Sequence, residues 1–416
     1  MRRFVPLRVW LARTLQRGAT LNTVAPCTSA ENSAVRSSAR RFGGDMKYRV
    51  LITGGAGFIG SHLADALLAR GHAVRALDNL SPQVHGSGQR RPSYLAREVE
   101  LCVGDVRDAR AVSRALEGVD AVFHFAAMVG VGQSMYKVHD YVDVNSGGTA
   151  ILLECLAKHP VRKLVVASSM SIYGEGMYRD TAGNLANVRG RSVEQLKRGE
   201  WELRDAGGRP LSPEPTPESK TPALESIYAL SKFDQEQQCL MVGRAYDIPT
   251  TALRFFNVFG PRQALSNPYT GVLAIFSSRL LNDRAPLVYE DGLQRRDFVS
   301  VHDVVQACML TLANPASDGQ VFNVGSGKSI SILDVAAKIA VALGKTPAAE
   351  VTGKYRVGDI RHCFADISRA QELLGYQPRV SFSEGIEELA ESIRGQLVQD
   401  RAHEARVELD ARGLTL

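Results

Sequence analysis

No CxxC pair occurs in this chain. None of its six cysteines (Cys27, Cys102, Cys155, Cys239, Cys308, Cys363) lies in a His/Cys cluster with zinc-ligand spacing. No metal site is expected, and the thiols read as buried groups in a reducing compartment. No uncharged apolar run reaches about 18 residues, so no membrane-spanning helix is expected. An excess of charge is also missing from most of the chain. Eight arginines set against Glu31 and Asp45 within residues 1–45 carry the whole formal net charge of +6, which leaves residues 46–416 neutral. A neutral body has no general electrostatic reason to bind nucleic acid.

The 416 residues, 44% of them hydrophobic, are enough for two packed domains. The first 45 read as an extension. "MRRFVPLRVWLARTLQRG" is arginine-rich and acid-free, with Phe4, Leu7, Leu11 and Leu15 on one helical face, as in an organelle presequence. A disordered tail or a misplaced start is the simpler reading, because Met46 opens "MKYRVLITGGAGFIG" and a strand begins at once. On any of these readings residues 1–45 are expected to lie outside the fold; on the simpler one the protein is expected to be cytoplasmic.

In "YRVLITGGAGFIGSHLADALLARGHAVRALDNLS" (48–81), Val50-Leu51-Ile52 suits a strand buried on both faces. Gly54, Gly57 and Gly60 follow at GxxGxxG spacing. An amphipathic helix then stops at Gly71, and "AVRALD" forms a second strand ending in Asp78. The first glycine permits a tight turn, the second lets the backbone approach a pyrophosphate, and the third lets helix and strand pack closely. Asp78 stands where a carboxylate accepts from the adenine ribose hydroxyls. An acid there repels a 2′-phosphate, so NAD is expected rather than NADP. Further strands are expected at 100–106, 120–127 and 163–169, with helices between them. The fold class is therefore α/β, a Rossmann doubly wound parallel sheet, whose ligands bind at the carboxyl ends of the strands.

Of twelve tyrosines, Tyr228 alone has a lysine four residues on, in "YALSK" (228–232). One helical turn puts Tyr228 and Lys232 on the same face. Bringing a phenol from a pKa of about 10 to about 7 takes about 4 kcal/mol, which a nearby ammonium can help supply.

"GGAGFIG", "HFAAMVGVG", "DVNSGGT", "VVASSMSIYG", "YALSK", "RFFNVFGPR" and "RRDFVSVHDVV" follow one another along the chain. In this combination the chain resembles the extended short-chain dehydrogenases/reductases of the nucleotide-sugar epimerase/dehydratase group, over about residues 46–395. Within that group, the long segment before "YALSK" and "ALSNPYTGVLAIFSSRLLN" after it look most like dTDP-L-rhamnose 4-epimerases. The resemblance implies a catalytic set of Ser169, Tyr228 and Lys232. It implies NAD contacts at Gly54, Gly57, Phe58, Ile59, Gly60, Asp78, Asn79, Asp105, Val106, Ala126, Asn145, Tyr228 and Lys232. It also implies that a nucleotide-diphosphate sugar meets Ser169, Ser171, Asn257, Arg296, Arg356 and Asp359. Guanidinium groups suit that role, since they bind phosphate oxygens bidentately.

In the group's dehydratases an Asp-Glu pair follows the catalytic hydroxyl, and its decarboxylases carry a glutamate nearby. Here Met170-Ser171 stand at that place. The implied reaction is oxidation at C4 to a 4-keto sugar and re-reduction on the opposite face. Tyr228 is then the base, Lys232 lowers its pKa, and Tyr173 is a packing residue. Many relatives carry a lysine about two residues after "HFAA", where this chain has Met128-Val129, so that cofactor contact is not carried over.

The expected organisation is an NAD-binding domain at 46–253, a smaller C-terminal α/β substrate-binding domain at 254–395 and a tail at 396–416. The insertion 177–222 is read as a lid over the sugar. Residues 383–412 are read as a solvated end helix. Helices at 148–158 and 228–243 resemble those that pair in family dimers, which implies a homodimer, with no nucleic acid and no membrane as partner. Two alternatives remain: a UDP-glucose or other UDP-hexose 4-epimerase, and a catalytically silent NAD-binding assembly protein.

Overall fold

Seven strands form the central sheet of the computed structural model, which describes residues 46–415 apart from 89, 187, 189, 270, 347, 357, 397 and 398. The readings made for residues 1–45, Cys27 included, lie outside the described residues. The strands are β1 (Arg49–Thr53), β2 (Ala73–Asp78), β3 (Glu100–Val103), β4 (Ala121–His124), β5 (Lys163–Ser169), β6 (Thr250–Phe255) and β7 (Val321–Val324). Their order is β7-β6-β5-β4-β1-β2-β3, and every pairing is parallel. The winding reverses between β1 and β4, which opens a crevice at their carboxyl ends.

Helices of eight or more residues are α1 (Phe58–Ala69), α2 (Ala109–Leu116), α3 (Gly148–Lys158), α4 (Ile227–Ala245), α5 (Val272–Leu281), α6 (Val301–Ala313), α7 (Ile332–Ala342), α8 (Phe382–Ile393) and α9 (Ala402–Asp410). One face of the sheet packs on Leu63 and Leu67 of α1 and on Val304, Cys308 and Leu312 of α6. The other packs on Val112 of α2, Leu152 and Leu156 of α3, and Cys239 of α4. With both faces covered, Val50, Leu51, Ile52 and Thr53 are all buried, so β1 reads as a continuous apolar run rather than an alternation.

β3 and β4 stop earlier than expected, at Val103 and His124. Past these points the chain leaves the sheet to line the crevice. The Thr53 hydroxyl takes the amides of Phe125 and Ala126, each at 3.2 Å, while Phe125 N also bonds Thr53 O at 3.1 Å. The division at 253/254 is not a clean one. β6 crosses it, and Val321–Val324 returns as β7, burying Phe322 and Val324 in the first core. A separate core gathers Leu273 and Phe276 of α5, Val335 and Ile339 of α7, and Ile386 and Leu389 of α8 around Phe259 and Phe298.

The insertion carries structure of its own. Met177–Arg179 pairs antiparallel with Leu185–Ala186 and with Ser212–Glu214, over a small core of Tyr178, Leu203 and Leu211. The charged C-terminal stretch is not one solvated helix. α8 and α9 are separate, and each buries an apolar edge, Ile386 to Ile393 in one and Ala405 and Leu409 in the other.

Candidate active site

The glycine turn works through its lack of side chains. Gly54 has φ +69°, and a Cβ there would sit 2.9 Å from the Ala126 amide nitrogen. A Cβ on Gly60 would sit 2.5 Å from the Gly54 carbonyl oxygen, so α1 could not pack this close to the turn. Gly57 is the N-cap of α1 and brings no side chain to occupy the first-turn amides, which suits an anion. Asp78 is pinned at the end of β2, accepting from Ala56 N at 3.0 Å and Leu80 N at 2.9 Å.

These groups line a cavity of about 670 Å3. Of the residues implied for the cofactor, all but Asn145 lie on its wall. The cradle fits a dinucleotide: Asp78 for the adenine ribose, the glycine turn for the pyrophosphate between the two ribosides, and Tyr228 and Lys232 for the nicotinamide side. Asp105 and Asn79 share the wall with Arg107, which sequence reasoning missed. Arg107 bonds Asp105 at 2.8 Å and Asp143 at 2.7 Å, and with Asn79 it holds the Asp105 carboxyl far below its ordinary value. Asn145 is a correction. It is fully buried, and its amide accepts from Met128 N at 2.7 Å and donates to Met128 O and to Ser231 Oγ. It braces the loop after β4 from behind.

Tyr228 lies in the first turn of α4. Ser226 caps that helix by accepting from Ala229 N, and Ser134 Oγ accepts from Tyr228 N at 3.0 Å. Ser169 ends β5 and caps the short turn 170–173, with its Oγ receiving both the amide and the hydroxyl of Ser171. Burial raises the Tyr228 phenol above its ordinary value, and a hydrogen bond with Ser169 pulls it back. Lys232 is 3% exposed, its ammonium donates to Gln235 Oε1 at 2.6 Å, and burial brings its pKa down to about 8.

Behind Lys232 stands a buried chain of polar groups. Gln235 Nε2 donates to Thr149 Oγ1 at 2.8 Å, and Thr149 Oγ1 donates to Asn145 O. His124 lies 2.8 Å from Thr149 Oγ1 through Nε2 and 2.7 Å from Thr53 Oγ1 through Nδ1. Burial depresses the His124 pKa to about 3, so the ring is neutral. With the Thr149 proton spent on Asn145, His124 Nε2 donates to Thr149 and Nδ1 accepts from Thr53. Gln235 thereby keeps its carbonyl turned to Lys232.

Tyr173 is fully buried, donates to Asn323 Oδ1 at 2.7 Å and accepts from Arg254 at 2.9 Å. Arg254 in turn pairs with Glu236, which takes the Ser168 hydroxyl. These groups sit in the scaffold under β5.

A second cavity, of about 430 Å3, meets the first at Ser169 and Tyr228. Ser171, Asn257, Arg296, Arg356 and Asp359 all line it. Arg356 bonds Asp359 at 2.9 Å and lies over the Tyr289 ring, 4.8 Å from its centroid. Arg296 reaches Asp359 at 3.8 Å and donates to Arg361 O. Burial raises the Asp359 carboxyl, but the two arginines outweigh it and leave the group below its ordinary value. Asn257 Oδ1 and Gln263 Oε1 are buried without a hydrogen-bond partner, and both residues line this cavity. Gln263 was missed, although it directly follows the quoted "RFFNVFGPR".

None of the described residues of the insertion lines either cavity. It braces the wall of the second one from behind. Glu202 pairs with fully buried Arg361 and, at 3.0 Å, with His362, while Arg191 pairs with Glu290 at 2.8 Å and donates to Asp359 O. The wall is supplied in part by α9, through Ala402, Ala405, Arg406 and Leu409. Among the described residues no cluster could hold a metal ion, no helix is long and apolar enough to cross a membrane, and the five cysteines are unpaired.

Fold and site define a nicotinamide-dependent enzyme of the extended short-chain dehydrogenase/reductase class. Residues 50–325 match the NAD dependent epimerase/dehydratase family. The chain belongs to this family: it is an enzyme of the epimerase kind, an isomerase, and NAD is its cofactor. It is 36% identical to a dTDP-L-rhamnose 4-epimerase of Burkholderia thailandensis, over 84% of this chain and 96% of that protein. It is 34% identical to a UDP-glucose 4-epimerase of Mycolicibacterium smegmatis, over 84% and 99%. A solved UDP-glucose 4-epimerase of Thermus thermophilus, in complex with NAD, superimposes with a TM-score of 0.67 at 32% identity, covering 84% of this chain and all of that one.

Proposed function

We propose that the chain epimerises C4 of a nucleotide-diphosphate sugar, and that the sugar is a 6-deoxyhexose of the dTDP-L-rhamnose kind. The observation that carries this reading is the meeting of the two cavities at Ser169 and Tyr228. A sugar hydroxyl held there from the substrate side faces the cofactor side. Asp359 is the only carboxylate among the described residues lining the substrate cavity, and Arg356 and Arg296 engage it. No carboxylate stands at Met170 or Ser171 to serve an elimination. Val129, Val131, Met135 and Met170 give this cavity an apolar share that suits a C6 methyl group. The 36% identical relative supports the same substrate, while the 34% identical one supports UDP-glucose.

Held along Gly54, Asp78 and Lys232, NAD would supply reversible hydride exchange at the sugar's C4. The chain's own residues manage protons and position. Tyr228 takes the proton of the 4-hydroxyl and later gives it back, and Ser169 bridges the phenol and the sugar oxygen. Lys232 supplies a buried positive charge beneath the phenolate. Arg296 and Arg356 hold the diphosphate, so the oxidised sugar can turn about that anchor and present its other face. The presence of Ser169, Tyr228 and Lys232 in one site argues against a silent NAD-binding protein.

The test is product analysis by NMR after incubation with dTDP-L-rhamnose, UDP-glucose and other nucleotide sugars, with no added cofactor. Inversion at C4 of dTDP-L-rhamnose is expected. Turnover of UDP-glucose alone would move the reading to the UDP-hexose enzyme, and bound NAD without turnover of any sugar would refute it. We also infer a homodimer through α3 and α4, since α4 leaves Leu230 and Met241 exposed. Light scattering that returns the mass of one chain would refute that.

A further inference from the structure

The C-terminal segment, expected to be a tail, lines the substrate cavity through Ala402, Ala405, Arg406, Leu409 and Leu414. Asp400, whose side chain is 2% exposed, anchors its start to Arg284 at 2.9 Å and Arg279 at 3.5 Å. Leu409 then packs on Gly132, so closely that a Cβ on that glycine would lie 3.3 Å from it. Arg412 stacks over the Tyr136 ring at 4.4 Å. Gly132 and Tyr136 flank Ser134, whose hydroxyl holds the backbone of Tyr228. At its far end the segment pairs with the substrate side directly, through a β-bridge between Thr415 and Arg356.

Between these anchors, Arg406 of α9 lines the cavity. Its ion pair to Asp410 is long, 3.7 Å. Burial, and then the charges of Arg284 and Arg406, disfavour the Arg279 guanidinium, against the opposing pull of Asp400 and Glu350. A guanidinium on a partly dry wall, loosely paired, is suited to a phosphate oxygen.

We propose that residues 400–415 form a substrate-binding strap, and that Arg406 within it contacts the diphosphate of the bound nucleotide sugar. This rests on the proposed function above, because the anion is taken to be a nucleotide diphosphate. The strap contributes to the substrate cavity and none of its residues lines the cofactor cavity. Its variants therefore act on substrate affinity and leave NAD in place.

The experiment compares Arg406→Ala with the intact chain, using the nucleotide sugar that the NMR panel shows to turn over. Loss of one charged hydrogen bond is expected to raise KM about tenfold, far more than it lowers kcat. Bound NAD, measured by absorbance after heat release, should be unchanged. A second protein, ending at Gln399, should show at least the same rise in KM. An unchanged KM in Arg406→Ala overturns the proposal whether or not the shortened protein folds. If the intact chain turns over no nucleotide sugar, the proposed function falls, and calorimetric titration with dTDP and UDP decides the strap separately. Weaker binding to Arg406→Ala then upholds it, and equal or absent binding in both proteins overturns it.

Discussion

The two cavities share Ser169 and Tyr228 but are made in different ways. The cofactor cavity is largely backbone. A turn of seven residues, one helix N-terminus and the ends of parallel strands shape it, and most of its key positions follow from φ angles and close approaches around Gly54 and Gly60. The substrate cavity is assembled from side chains on loops and helices from residue 129 to residue 414. The first kind of site depends on local geometry and tolerates little change within one short stretch. The second depends on braces, several of them distant ion pairs, and spreads its sensitivity over many residues.

The sharpest way to test this contrast is at the shared point. Tyr228→Phe removes the proposed proton carrier and little else, since the hydroxyl is not what holds α4 in place; Ser134 and Ser226 do that. Turnover should fall at least about a thousandfold, in the upper range for an acid–base group, with NAD still bound. Near-normal activity would break the assignment of both cavities at once.

Next in size is a change to the backbone-built side. Gly60→Val places a side chain against the Gly54 carbonyl and the Gly55 backbone, with the first contact at 2.5 Å. Nothing flexible can move aside there. The variant should be purified with less than about a tenth of the wild-type NAD content, a loss of at least about 1.4 kcal/mol in affinity. Full NAD content would mean that the turn is not the pyrophosphate cradle.

Much of this contrast was legible beforehand, and its limits follow from it. Val50–Ile52, the three glycines, Asp78 and the Tyr228/Lys232 spacing are short-range patterns, and the structure puts each of them on the cofactor wall or in the strand feeding it. Asn145 sits in a motif but one layer behind the cavity, a distinction that no spacing encodes. Glu202 and Arg361 are 159 positions apart, so their pairing depends on how the insertion packs. The role of α9 was hidden for a similar reason. Its sequence is charged and only Ala405 and Leu409 are buried, so the pattern reads as a solvated helix until the cavity beside it is seen.

A smaller effect is expected from the braces on the substrate side. Burial would raise the Glu202 carboxyl, but hydrogen bonds from His362 and Arg361 overcome that and bring its pKa to about 2, against an ordinary value of 4.5. A carboxylate depressed in the folded state stabilises it above pH 4.5, and that contribution is lost as pH falls toward about 2. Glu202→Gln should therefore lower the melting temperature by on the order of 2 °C at pH 7, a modest effect because Glu202 is partly exposed. The gap between variant and wild type should close as pH falls below about 4.5. A gap that stays constant down to about pH 3 would show that the charge of Glu202 is not what docks the insertion.

The smallest effect expected is also the most specific, because it lies where the two ways of building meet. Lys232 is placed by helix spacing, yet its ammonium is held by a side chain, Gln235, whose orientation depends on Thr149 and through it on His124 and Asn145. Burial has already brought the Lys232 pKa to about 8. If catalysis needs the charged form, kcat/KM declines as pH rises through that region, with a limb that belongs to the Tyr228–Lys232 pair rather than to either group. Gln235→Leu removes the acceptor from the ammonium, which disfavours the charged form further, so the decline should begin at lower pH. Gln235→Glu supplies a stronger acceptor and should move the limb upward. A packing defect at this position would reduce activity at every pH in both variants, whereas opposite displacements of the limb can come only from a change in the field at Lys232.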